Sequence, residues 1–446
     1  MLTKDVDVLI IGGGPAGAAS GITLLQCPEL KVAIVEAGDY ETTRVGESLS
    51  PGTRPLLEYL KVWDDFQAQQ SLQSYGSKAA WGSDQVHSLD FLFTAQGHGW
   101  HLDRSKFDRM LAASFQKRGG EVYSRCRFTR AERKQAQWLV HVVDEREGLR
   151  QFLCRYVIDA TGRNARFAHH QGVRKQYHDH LSAVVRYGHI DTKTSAGLGL
   201  ESFVFVASCD YGWWYYAPLP GQQLALMLMS DSDIISQRQL HLPSSWQQHF
   251  EAIPAICEPL AQVQWQQHSR VVPAYSSSLN RYSGEAWVAC GDAAVSFDPL
   301  SSSGIPNALA SGIQAAIVAA NHVLVNEDTS SAYAAALSQD VQQYLNTHQQ
   351  YYATEKRWPD QVFWQRRQGR VALDPEACIS RQHIEQRIEP ASSVHLMSGM
   401  LAGLKRECRE GRPMHEVVRA FKAKHDSVPD QKIILALQDL MQGSAV

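Results

Sequence analysis

The chain has 446 residues, 44% hydrophobic and 20% charged, an ordinary globular composition that excludes a disordered or fibrous class. Lys and Arg total 43 against 46 Asp and Glu, a formal charge of -3; with the basic residues scattered, there is no electrostatic footprint for nucleic acid or an anionic membrane. This length predicts two domains plus an appendage.

The chain opens as a βαβ unit: strand Val6 to Ile11, glycine turn Gly12 to Gly17, an Ala-rich helix to about Gln26, and strand Val32 to Glu36. A polar loop, Thr42 to Pro51, precedes a short helix around Arg54 to Leu60. Phe107, Leu111 and Phe115 recur at helical spacing and predict a helix over Asp103 to Arg118. Trp138 to Val143 and Phe152 to Ile158 read as strands, the latter ending at Ala160-Thr161-Gly162. Further runs, such as Val184 to Ile190, Phe203 to Ala207 and Leu224 to Met229, are separated by Gly, Pro and Asp turns and predict an antiparallel sheet. Strand Ala286 to Cys290 then leads into a helix from about Pro306 to Val323. Beyond Thr329, Leu337, Val341, Tyr344, Leu345, His348, Tyr351 and Tyr352 form one helical stripe, and the remainder reads as mostly helical. The stripe is more often core than a partner-binding face.

The expected class is α/β (α+β). A discontinuous Rossmann-type nucleotide-binding domain spans 1–75, 101–165 and 280–328, an antiparallel-sheet substrate domain spans 76–100 and 166–279, and a C-terminal helical region spans 329–446. The N-terminal apolar run stops at Gly12 without a basic start or cleavage site, and no stretch of 18 apolar residues occurs, so a cytoplasmic protein without a membrane span is expected. Eight dispersed cysteines, Cys378 among them, contain no C-x-x-C pair and are expected as reduced thiols. His169, His170, His178 and His180 cluster without metal-ligand spacing, so no metal is expected, and no G-x-S-x-G elbow supports hydrolase chemistry.

Gly12, Gly14 and Gly17 make G-x-G-x-x-G at the first strand-to-helix turn, where glycine permits the turn, close approach of a pyrophosphate and tight helix packing. The helix start adds unpaired N–H groups for phosphate. Glu36, ending the next strand, is placed to accept ribose hydroxyls.

Four later segments give the chain a resemblance to the FAD-dependent aromatic hydroxylases and flavin-dependent halogenases. Trp287-Val288-Ala289-Cys290-Gly291-Asp292 resembles the second FAD motif, which implies that Asp292 binds the ribityl chain; a helix cap is the plainer role for an Asp there. Arg44-Val45-Gly46-Glu47-Ser48 is similar to the G-E-S/A loop laid beside the isoalloxazine. Leu102 to Asp108 resembles the R-x-x-F-D helix start, implying that Arg104 reaches the cofactor. In Asp298 to Pro306, Pro299, Ser302, Ser303, Gly304 and Ile305 shape a loop into a helix whose N–H groups can face a flavin carbonyl, a peroxide or an anion.

Within that resemblance, Ser301 stands where tryptophan halogenases carry glutamate, and Ser296 and Ser301 where phenolic and pyrrole halogenases carry phenylalanine. Lys78 falls about where halogenases place the lysine that handles hypohalous acid, although a solvated surface lysine is the plainer reading. Gly212 to Pro220 keeps Trp213 of the halogenase W-x-W-x-I-P block but has Tyr215 and Ala217 in place of Trp and Ile. With Tyr351 to Trp358, these segments look most like the maturation flavoproteins that oxygenate tryptophan in a partner polypeptide during cysteine tryptophylquinone biogenesis. The resemblance implies a monooxygenase using FAD and O2 through a C(4a)-hydroperoxyflavin, acting on a quinone-cofactor oxidase precursor. Electrons would come from NAD(P)H directly or through a flavin reductase, since no second G-x-G-x-x-G follows a strand. Trp81, Trp213 and Tyr215 are the expected substrate-pocket walls, with Trp213 and Tyr215 on one face of their strand. The alternatives are a halogenase of a free or carrier-bound aromatic, a flavin-stabilised escort without chemistry, and a flavin reductase of isoprenoid double bonds.

Overall fold

The computed structural model describes residues 3–42, 44–91, 97–191, 203–368, 396, 398–408, 412–428, 432–434 and 436–437. Cys378 and much of the stretch beyond 368 expected to be helical lie outside the described residues.

The opening βαβ unit is β1 (Thr3–Ile11), α1 (Pro15–Leu24) and β2 (Val32–Glu36). All ten residues of α1 are buried, which its small Ala and Gly side chains allow. β3 (Gly76–Ala80) and β4 (His87–Asp90) leave for a second sheet, and α2 (Arg104–Lys117) returns, its start capped by the Asp103 carboxylate, which accepts from the N–H groups of Ser105 and Lys106. β5 (Glu121–Ser124) precedes an antiparallel meander of β6 (Cys126–Lys134), β7 (Gln137–Asp144) and β8 (Gly148–Asp159).

The second sheet continues with β9 (Leu181–His189), β10 (Phe203–Cys209), β11 (Gly212–Leu219) and β12 (Gln223–Asp231). The chain then re-enters the first sheet at β13 (Trp287–Ala289) and continues with α3 (Gly304–Ala320), α4 (Ser330–Tyr352) and α5 (Val362–Gln368), and two further helices, α6 (Ser398–Glu407) and α7 (Met414–Lys422), follow.

In the first sheet the parallel strands run in the order β13-β8-β1-β2-β5. α3 crosses α1 so closely that a side chain on Gly312 would stand 2.3 Å from the Ala16 carbonyl oxygen. In the second sheet the order is β9-β12-β11-β10-β3-β4, with the short strand Gln264–Trp265 outside β9. This sheet departs from the expected antiparallel pattern at one pair, because β3 runs parallel to β10 with Gly76 opposite Phe203. The long excursion from β3 through the first sheet and back brings the chain in from the same end twice.

Each sheet has its own apolar core. The stripe on α4 divides between them: Leu337 and Val341 pack into the first, beside Tyr333, while Tyr352, with Phe363 and Trp364 of α5, packs into the second. Tyr351, expected on the same stripe, is 43% exposed. Among the described residues one helix, Gly304–Val325, is long and apolar enough to cross a membrane by length and composition; its α3 part packs on α1, the setting of a core helix.

Candidate active site

A cavity of about 600 Å³ runs from the glycine turn to the second sheet. At its first end the backbone dictates the residue types. Gly12 has φ +107°, and a side chain there would stand 2.1 Å from the Ala160 carbonyl oxygen; one on Gly17 would stand 1.9 Å from that of Gly12. Gly17 is therefore a packing residue beneath the turn and does not line the cavity, whereas Gly12 and Gly14 do. Gly14 caps α1, and around its missing side chain only an Arg44 nitrogen comes within 4 Å, at 3.9 Å. The helix start is thus open to a ligand phosphate.

Glu36 lies at the end of β2. Its carboxylate accepts from the N–H groups of Gly13 at 2.6 Å and Gly38 at 2.8 Å, and pairs with Arg44 Nη2 at 2.9 Å. Arg44 also reaches the buried Asp108 at 3.4 Å, so the loop following β2 is tied to α2.

Gly46, Glu47 and Ser48 all line the cavity. Gly46 has φ +103°, and a side chain there would meet Arg104 Nη1 at 2.6 Å. Arg104 holds the loop by donating to the Val45 carbonyl at 2.5 Å while its other nitrogens bind Asp108, both at 3.1 Å. Ser48 and Tyr215 share a hydroxyl hydrogen bond of 2.9 Å, which joins this loop to β11. Glu47 is 4% exposed, and burial pushes its carboxyl up to about 7 against the opposing backbone hydrogen bonds and the Arg104 charge.

Asp292 also lines the cavity, with Arg163 Nε 3.4 Å away. Pro299, Ser302, Gly304 and Ile305 line it as well, at the start of α3; Ser303 does not, and its hydroxyl donates to the Ser301 carbonyl at 2.9 Å. The approach to this loop is set by Asp298, 1% exposed, whose carboxylate accepts from Tyr352 at 2.7 Å, His348 at 3.1 Å and the Leu300 N–H at 2.8 Å.

The second sheet supplies the far wall through Ala183, Tyr215, Met227 and Met229. Three expected residues stand elsewhere. Trp213 is on the Tyr215 face of β11, as alternation predicts, but α4 and α5 cover that part of the sheet: its Nε1 donates to Tyr352 at 2.9 Å, and it is 1% exposed. Trp81 joins the same aromatic cluster, against Trp213, Tyr351, Tyr352 and Trp364. Lys78 lies on β3 with its ammonium 4.6 Å from the centre of the Phe203 ring and does not line the cavity. In each case a neighbour from a distant part of the chain claims the side chain.

Residues that the sequence reading missed include Arg163, Asn164 and Arg166, just after β8, and Arg127 and Phe128 on β6. The signal for the first three was available, since they directly follow Ala160-Thr161-Gly162 at the carboxyl end of a parallel strand, where α/β sheets bind ligands.

This lining fits a flavin dinucleotide: an open helix start for the pyrophosphate, a carboxylate at the end of β2, a second carboxylate, Asp292, between the helix starts, and an apolar wall with hydroxyls beyond. The comparisons with known proteins agree. The family described as FAD binding domain matches residues 5–317. The protein named FAD-dependent oxidoreductase LodB, from Marinomonas mediterranea, is 33% identical over 375 residues, covering 83% of this chain and 99% of that protein. A tryptophan 2-halogenase from Chondromyces crocatus is 24% identical over 339 residues, covering 74% of this chain and 64% of that one. In fold, the chain is similar to the myxobacterial chondrochloren halogenase CndH, with a TM-score of 0.72 and 19% identity over 84% of this chain and 87% of that one. It is also similar to aklavinone-11 hydroxylase, with a TM-score of 0.66 and 17% identity over 81% and 70%.

Proposed function

The chain belongs to the FAD-binding-domain family of flavin-dependent oxidoreductases, and from that premise we propose that it is a monooxygenase that hydroxylates an aromatic group, a tryptophan side chain of a partner polypeptide, as a step in building a quinone cofactor. The observation that carries oxygenation over halogenation is the cavity lining: among the described residues it contains no lysine, and Lys78, on β3, lies over the ring of Phe203 of β10. Ser301 and Ser296 favour the same reading; Ser296 is buried and bonded to Ser277 at 2.8 Å. The LodB relationship, which runs over nearly the whole of that protein, supports the coarser part of this reading, an FAD-dependent oxidoreductase.

Bound FAD supplies two electrons, delivered by NAD(P)H or a flavin reductase, with which dioxygen is activated for transfer of one oxygen atom. The protein's part is to bind, orient and exclude water. Gly12, Gly14 and Glu36 hold the nucleotide end. The loop from Arg44 to Ser48, braced by Arg104, closes against β11, while Met227, Met229 and Ala183 give the aromatic ring an apolar wall.

The test is to incubate the holoprotein with a reductant, oxygen, bromide and an oxidase precursor with unmodified tryptophan. Mass spectrometry is expected to find an oxygen increment on that tryptophan and no bromination. A brominated product would instead establish the halogenase reading, which the similarity to several halogenases favours.

A further inference from the structure

We propose that Glu47 is the proton-exchanging group of this cavity, accepting the proton that the aromatic ring releases after oxygen transfer. The inference rests on the hydroxylation reading above and adds a residue role to it.

Glu47 lines the cavity from the loop that meets the second sheet, and its position is fixed by the Leu102 N–H donating to its carbonyl at 2.7 Å. Its carboxylate is left weakly engaged. One oxygen accepts from the Gly46 N–H at 3.0 Å, and the other is 3.5 Å from the Tyr187 hydroxyl, at the limit of a hydrogen bond. Among the described residues it forms no ion pair.

The groups facing it come from each neighbouring element. From α2, Arg104 acts on its charge but commits its nitrogens to Asp108 and the Val45 carbonyl. From β9 and β11 come Tyr187 and Tyr215, phenols that burial keeps neutral, with Arg270 acting in turn on Tyr187. The other carboxylates lining the cavity each have a cationic or closely bonded partner: Glu36 has Arg44 and two N–H groups, Asp298 has Tyr352 and His348, and Asp292 faces the Arg163 charge at 3.4 Å. A buried carboxyl held by a full set of partners serves structure; one that lines the cavity, is held mainly by a backbone N–H and titrates near neutrality suits proton transfer.

The ring carbon's electron pair forms the new C–O bond as the O–O bond of activated dioxygen breaks, and the second oxygen leaves as hydroxide. The C–H bond at that carbon then breaks, its electrons restore aromaticity, and its proton passes to Glu47 and on to form water. Dioxygen takes two electrons from reduced flavin and two from the ring.

Glu47→Gln removes the ionisation while conserving shape. In the wild-type holoprotein, visible absorption of the oxidised flavin is expected to show one ionisation at about 7; E47Q should retain FAD and lack it. On the tryptophan substrate, wild-type kcat should fall as pH drops through the same range, and E47Q should lose both this limb and about 10²–10⁴-fold in kcat. An E47Q protein with the wild-type spectral titration, or with kcat within about tenfold of wild type, overturns the proposal. Should E47Q fail to hold FAD, Glu47→Asp decides: a displaced spectral midpoint supports the role and an unchanged one overturns it. Because the titration needs no substrate, a normal titration without oxygenated product would sink the hydroxylation reading alone.

Discussion

A methyl group on Gly17 would lie 1.9 Å from the Gly12 carbonyl oxygen, and backbone cannot yield as a flexible side chain does. The same group on Gly14 has only an arginine tip near it, at 3.9 Å. The two glycines of one motif therefore have different tasks, packing at Gly17 and access at Gly14. Gly17→Ala is expected to abolish stoichiometric FAD binding and lower the yield of folded protein. Gly14→Ala should fold normally, with its effect confined to FAD affinity, as measured by fluorescence titration. These positions were legible because turn geometry is a local property. Glu47 was legible only as a member of its loop: its isolation depends on Arg104 being occupied by Asp108 one helical turn away, and on two tyrosines from another sheet.

Among the elements, α4 connects furthest. Its last turns deliver Tyr352 to both sides of a buried chain of hydrogen bonds: Trp213 Nε1 donates to the Tyr352 hydroxyl, which donates to Asp298 ahead of the Pro299–Ser303 loop. Burial pushes the Asp298 carboxyl up, but the His348 and Tyr352 hydrogen bonds and the Leu300 N–H overcome it and hold it below its ordinary value. Tyr352→Phe leaves Trp213 and Asp298 each short of a buried partner and should destabilise the protein by about 1–3 kcal/mol in urea unfolding. The helical stripe was readable from periodicity, but the hydroxyl's partners were not, since they lie 139 and 54 residues away in sequence.

Across the whole molecule, the second sheet and α5 are clamped together by Asp231 at the end of β12. Its carboxylate takes Arg367 at 2.6 Å and Arg366 at 2.8 Å, and these two charges outweigh its burial and hold it well below the usual carboxylate range. A depressed carboxylate stabilises the fold above its unfolded value, about 3.9, and that contribution is lost as pH falls through the folded value. Asp231→Ala strands the buried Arg367 charge, so it should cost about 3–5 kcal/mol near neutral pH. The deficit should shrink in strong acid, as thermal unfolding at several pH values would measure.

The sequence by itself determined the nucleotide-binding half: glycines that a tight turn, close packing and an open helix start require, a carboxylate at a strand end, and strands and helices whose periodicities are local. It also carried the family, because the order of those motifs survives along the chain. Which aromatics face the cavity was decided only in three dimensions. Alternation assigns Trp213 and Tyr215 to one face, but whether that face meets a cavity or a helix depends on where α4 and α5 come to rest, and that is set by long-range packing between parts of the chain that share no local pattern.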